Sequence, residues 1–186
     1  TEGGTPHRVT HHPGNDRIVD WSPDGARLLF ASRRTSGVPR FNQLWMVASS
    51  GGLPERLPMP YGEFGALAPE SNRIAYSPKD RGFRTWKRYR GGWAPDIWLF
   101  GLSDFEAKNL TRNDANDGQP MWHGSTLYFL SDRDANFRAN IWAYDLDTDS
   151  VRQVTFFGDF DIHFPAIGPE DLPEEIRTFG TISQMS

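Results

Sequence analysis

Between Lys79 and Trp93 the sequence gathers six cations, Lys79, Arg81, Arg84, Lys87, Arg88 and Arg90, among Phe83, Trp86, Tyr89 and Trp93. Elsewhere the chain leans acidic, with 20 Lys and Arg against 24 Asp and Glu and a net charge of −4. Guanidinium groups held beside aromatic faces bind carboxylates, phosphates or single-stranded nucleic acid. Arg84, Lys87, Arg88 and Arg90 are therefore candidate ligands for a peptide carboxylate or another anion. The competing reading is a loop that packs its rings on a sheet edge or on a neighbouring subunit, its cationic stems lying over apolar surface.

The other polar motifs lead away from catalysis. No G-x-S-x-G elbow, H-E-x-x-H pair or phosphate-binding loop occurs, so no residue is assigned a catalytic role. His11 and His12 are neighbours, and on an extended chain neighbours point to opposite sides, which disfavours joint metal ligation. His123 falls in a turn, where the backbone can satisfy it. Asp145-Leu146-Asp147-Thr148-Asp149-Ser150 begins like a calcium loop, but Ser150 stands where that loop needs Gly and Phe156 where it needs Glu. It reads as a turn whose Asp side chains bond nearby backbone, and so does Asn113-Asp114-Ala115-Asn116-Asp117-Gly118. Neither a metal nor a cofactor is implied. The acidic balance argues against general nucleic-acid binding. The longest apolar run, near residues 97–102, is far short of the roughly 18–20 residues that cross a bilayer. The chain opens Thr1-Glu2-Gly3-Gly4, without an initiator methionine or a signal-peptide pattern, as an excised or processed piece would.

A repeated unit must position these residues. Its clearest copy reads Gln119-Pro120-Met121-Trp122, Thr126-Leu127-Tyr128-Phe129-Leu130-Ser131, Asn140-Ile141-Trp142-Ala143-Tyr144, then Val151-Arg152-Gln153-Val154. Short aromatic and β-branched runs bounded by Asp, Asn, Gly and Ser are strands joined by tight turns. Arg27-Leu28-Leu29-Phe30-Ala31-Ser32 with Gln43-Leu44-Trp45-Met46-Val47 is a second copy, and Arg73-Ile74-Ala75-Tyr76-Ser77 with Asp96-Ile97-Trp98-Leu99-Phe100 a third. The step from Trp98 to Trp142 is that of four-stranded propeller blades, which repeat at about 40–45 residues. The longer step from Trp45 to Trp98 requires an insertion, and the cationic segment is that insertion.

The expected architecture is all-β: a β-propeller segment over residues 1–172, with blades at about 17–58, 62–111 and 116–155. A stray outer strand is expected over residues 3–10 and the inner strand of a fourth blade over 160–168, with 173–186 an irregular or short helical tail. Three blades alone leave two apolar faces in water. Either a longer parent covers them or two copies close a six-bladed ring as a homodimer.

Ser22-Pro23-Asp24-Gly25-Ala26-Arg27-Leu28-Leu29-Phe30, followed by Leu44-Trp45 and Gly51-Gly52, resembles the repeat shared by TolB-type and tricorn-type propellers. Phe83-Arg84-Thr85-Trp86-Lys87-Arg88-Tyr89-Arg90-Gly91-Gly92, then Ala94-Pro95-Asp96-Ile97-Trp98, is similar to a segment of the N-terminal six-bladed propeller of tricorn-type proteases. The resemblance implies a non-catalytic module that gates oligopeptides beside a serine-peptidase core in the cytoplasm. It also implies that paired arginines hold a peptide's terminal carboxylate, and the one adjacent pair here is Arg33-Arg34. Bidentate carboxylate binding suits such a pair; its bland alternative is two solvated loop charges. Two other readings stand beside this one: a self-associating structural or binding module with no peptidase, and a TolB-like scaffold that docks proteins.

Overall fold

The computed structural model describes residues 3–38, 40–80 and 89–168. Among them the strands form three four-stranded antiparallel sheets, each ordered as the chain runs. The first blade holds β1 (Asp16–Trp21), β2 (Arg27–Ser32), β3 (Gln43–Ala48) and β4 (Glu55–Arg56). Blade 2 holds β5 (Phe64–Leu67), β6 (Arg73–Ser77), β7 (Trp98–Gly101) and β8 (Ala107–Asn109). Blade 3 holds β9 (Asp117–His123), β10 (Thr126–Ser131), β11 (Asn140–Asp145) and β12 (Ser150–Gln153). This is an all-β propeller architecture.

The middle strands of each blade explain the unbroken apolar runs of the sequence. In blade 1, Leu28 pairs with Val47 and Phe30 with Trp45 on one face, while Leu29 pairs with Met46 and Ala31 with Leu44 on the other. Both faces are buried, so polar alternation has no place there. The fourth strands lie at the rim and are largely exposed. Glu55, Arg56, Lys108 and Arg152 put charge on those edges, which discourages pairing with another chain.

Neighbouring blades meet face to face. Leu29, Leu44, Met46, Leu57 and Met59 of the first pack on Leu67, Ile74, Tyr76 and Phe100 of the second. Ala75, Ile97 and Leu110 then pack on Leu127, Phe129 and Tyr144 of the third. Each fully buried Leu, Ile or Phe contributes about 1.5–3 kcal/mol, so these two seams supply the main cohesion of the fold. Hydrogen bonds fix their alignment: Leu67 N–H donates to Asp20 Oδ2 at 3.2 Å, and Trp122 Nε1 donates to Ala66 O at 3.0 Å.

Two expected strands are absent from the described residues. Residues 3–10 are not a strand, because a strand exists only with a ladder partner and they have none there. Val9 instead packs on the Leu28, Phe30, Trp45 and Val47 cluster, the face of blade 1 turned away from blade 2. Residues 160–168 likewise pair with no strand. Ile162 seats on Leu130 and Ile141, its N–H donating to Ala139 O at 2.8 Å, and so covers part of the far face of blade 3. The tail expected over 173–186 lies outside the described residues.

Candidate functional site

The arginine pair separates. Strand β2 ends at Ser32 and Arg34 follows two residues later; β10 ends at Ser131 and Arg133 follows in the same way. Directly opposite these serines in the ladders stand Asp16 and Asp117. Arg34 Nη2 donates to Asp16 Oδ2 at 2.6 Å, and Arg133 Nη2 to Asp117 Oδ2 at 2.9 Å. Each guanidinium also lies over two rings: Arg34 over Phe30 and Trp45 at 4.9 and 5.1 Å, Arg133 over Phe129 and Trp142 at 5.1 Å each. Arg34 is thus held inside blade 1 with a side chain only 10% exposed, and not presented to solvent beside Arg33.

The two aspartates answer differently to the same arrangement. Burial opposes ionisation of Asp16, but hydrogen bonds from Ser32, Arg34 and Thr10, with the Arg34 charge, outweigh it and hold the carboxyl below its ordinary value. At Asp117 burial is the larger effect and pushes the carboxyl up, despite Arg133 and hydrogen bonds from Ser131, Asn113 and Thr111. Blade 2 has Lys79 in the arginine position, two residues after Ser77, and no matching pair. Lys79 Nζ donates to Gly92 O at 2.7 Å and lies 5.0 Å from the Trp93 ring.

Arg33 lines a cleft of about 430 Å³ where blades 1 and 2 meet, together with Arg17 and Arg40. Asn15, Asn42, Glu63 and Asp80 complete its polar wall. Four separate pieces of chain meet here: the start of β1, the loop from β2 to β3, the approach to β5 and the loop after β6. Glu63 is nearly buried, and its Oε2 accepts from Arg17 Nη2 at 3.3 Å and from Asn42 Nδ2 at 2.8 Å. Arg17 also donates to Glu63 O at 2.6 Å and covers the Phe64 ring. Among the described residues the wall sets three guanidinium groups beside two carboxylates, and a guanidinium group suits a carboxylate or phosphate. Arg17 and Arg40 escaped the sequence reading because each is isolated along the chain. Only the seam brings them to Arg33.

The base of the insertion packs. Arg90 donates to Asp132 Oδ1 at 2.9 Å, to Asp132 O at 2.9 Å and to Asp114 O at 3.1 Å, and lies over Phe137. Asn116 Nδ2 donates to Tyr89 O at 3.0 Å, which fixes the neighbouring residue to blade 3. On the other side Trp93 stacks on Phe41 with centroids 6.0 Å apart, and Phe41 meets Tyr61 at 4.8 Å. Arg90 therefore pins the loop to blade 3 while Trp93 rests on blade 1. Arg84, Lys87 and Arg88 lie outside the described residues. Among the described residues no group of three His, Asp or Glu side chains could hold a metal ion, and no helix is long and apolar enough to cross a membrane.

The model of one protein family, the tricorn protease N-terminal β-propeller domain, matches residues 1–172. Tricorn protease homolog 1 of Streptomyces coelicolor is 33% identical over 136 residues, 72% of this chain and 12% of that protein. The chain thus spans a small fraction of this curated relative's length. Among solved structures, TolB from Acinetobacter baumannii superposes with a TM-score of 0.66 at 23% identity, over 86% of this chain and 37% of that one. The crystal structure of the tricorn protease gives 0.64 at 23% identity, over 79% of this chain and 14% of that one. At these identities the two structures speak for the fold.

Proposed function

This chain belongs to the tricorn protease N-terminal β-propeller family, and on that footing we propose that it is the non-catalytic propeller segment of a longer, cytoplasmic tricorn-like serine peptidase. Its work in this reading is to admit and filter oligopeptides on their way to or from the peptidase core. The supporting observation is the cleft lined by Arg17, Arg33 and Arg40 at the first seam, on a protein of net negative charge. A peptide's terminal carboxylate is the ligand that guanidinium groups suit, since their planar fork matches its two oxygens. Arg34 has no part in that contact, since Asp16 holds it. Arg84, Lys87, Arg88 and Arg90 were the other candidates; Arg90 serves here as the pin of the insertion.

The test is calorimetric titration of short peptides with free or amidated carboxyl ends. The free acid should bind about tenfold more tightly, and Arg33→Ala with Arg40→Ala should abolish that preference. Equal affinity for both peptides would sink the carboxylate role.

A second reading, self-association into a free-standing ring, has one observation of its own. Trp21 on β1 pairs with Leu28 as Trp122 on β9 pairs with Leu127, so the two tryptophans hold the same repeat position. Trp122 lies against blade 2, whereas Trp21 is 53% exposed beside an exposed Ile18. A blade from a second copy or from a longer parent would cover them.

A further inference from the structure

The turns that join the outer two strands are alike in blades 2 and 3. Phe100 pairs with Ala107 and Tyr144 with Val151, so the two turns have equal length. Phe105 and Asp149 hold the same place in them, and both take the left-handed backbone, with φ of 60° and 56°. Phe105 stands edge-on to Phe100, ring centroids 6.4 Å apart, and Phe100 belongs to the seam with blade 1. Asp149, beside the seam of blade 3 with blade 2, instead accepts from the Tyr144 hydroxyl and from Lys108 Nζ at 2.8 Å. The floors of the two seams differ accordingly. Met46 and Leu67 are buried in the first, whereas Leu99 and Trp122, at the same repeat positions in the second, are only half-buried. With Leu110, Tyr144 and Leu146 they line a cleft of about 530 Å³. It opens at the turns that follow β5, β9 and β11, the end of the blades away from the arginine cleft.

We propose that this cleft receives a bulky apolar side chain, flanked by a Lys or Arg, from a peptide segment of a partner. The first seam indicates what fits: the chain supplies a ring to itself there at Phe105 and omits it at Asp149. Half-buried Leu and Trp still meet water, and an apolar group that covers them is stabilised by the area it removes from solvent. Charge on the rim selects the neighbouring residue. Arg73 is paired with Glu70 at 2.6 Å and Lys108 with Asp149, while the Asp147 carboxylate on the same wall has no side-chain partner among the described residues. An exposed ion pair adds little affinity, so the apolar group carries most of the binding and Asp147 sets the preferred sign. The site shares no lining residue with the arginine cleft and does not depend on the carboxylate reading.

Peptides blocked at both ends have no terminal carboxylate and test this site alone. N-acetyl-Ala-Phe-Lys-Ala amide, its Phe→Ala form and its Lys→Glu form are each titrated calorimetrically into the chain. The first should bind about tenfold more tightly than the alanine form and about threefold more tightly than the glutamate form. Asp147→Lys should reverse the second preference; a preference left unchanged would overturn the role of Asp147. Asp149→Phe places in the second seam the ring found in the first and should abolish binding. Asp149→Asn loses the same charge without adding a ring and should bind as the wild type does. Equal binding of the phenylalanine and alanine forms, or binding of neither, would overturn the proposal. So would binding retained by a folded Asp149→Phe variant, or lost equally in Asp149→Asn. None of these outcomes bears on the arginine cleft, whose ligand is a carboxylate.

Discussion

Arg34 and Arg133 show how one residue type is spent on holding a blade together. Each closes an aspartate, serine and two-ring arrangement where the first two strands of its blade meet, and each would resemble a free cation in sequence. Asp117 is fully buried beneath Arg133, so removing the guanidinium strands a carboxylate in the fold. We expect Arg133→Met to cost about 3–5 kcal/mol in urea unfolding at neutral pH. The loss should narrow in acid. Burial raises the Asp117 carboxyl above its unfolded value, so native protein takes up the proton first and stability is recovered as pH falls through the folded value. A deficit that is constant with pH would mean the aspartate has found another partner or has moved to solvent.

At the scale of elements, the blades approach closely because glycine stands at the contact. A Cβ built on Gly62 would lie 2.5 Å from Leu44 Cγ, and one on Gly65 would lie 2.9 Å from Leu44 Cδ1. Leu44 is fully buried in the first seam and has no empty space to enter. Gly62→Ala should therefore destabilise by about 1–3 kcal/mol, read as a lower urea midpoint with an unchanged slope. Wild-type stability in that variant would mean that the chain around Gly62 moves away from Leu44 on β3 without cost. The insertion belongs to the same scale. With Arg90 on blade 3 and Trp93 on blade 1, its base bridges the ends of three sheets.

Taken whole, the molecule is an arc whose outermost faces are only partly covered by its own chain. Val9 and its neighbours shield one face of blade 1, and Ile162 shields part of blade 3, yet Trp21 and Ile18 remain open. Light scattering on a sizing column measures whether a second copy covers them. If two arcs close a ring, the mass is twice 21.1 kDa, and Trp21→Ser, which removes the indole from the docking face, returns it to 21.1 kDa. A wild-type monomer would refute self-association and leave the longer-parent reading.

Fold class was legible because strand period and turn chemistry are local. The runs Arg27-Leu28-Leu29-Phe30-Ala31-Ser32 and Thr126-Leu127-Tyr128-Phe129-Leu130-Ser131 are buried on both faces, and that condition leaves a continuous apolar signature in sequence. The insertion was legible from its spacing, and its aromatic packing was one of two readings its composition allowed. Legibility ended where partners are distant along the chain. Arg33 and Arg34 are adjacent in sequence, and adjacent side chains leave an extended backbone in opposite directions, so their neighbourhood was decided by the sheet. Arg17 meets Glu63, and Asn116 meets Asp132, only after blades have paired and packed. The sequence by itself determined the repeat and the covalent order of its charges. Tertiary structure decided which charges are buried and which line a cleft, because desolvation and pairing depend on neighbours that no local pattern names.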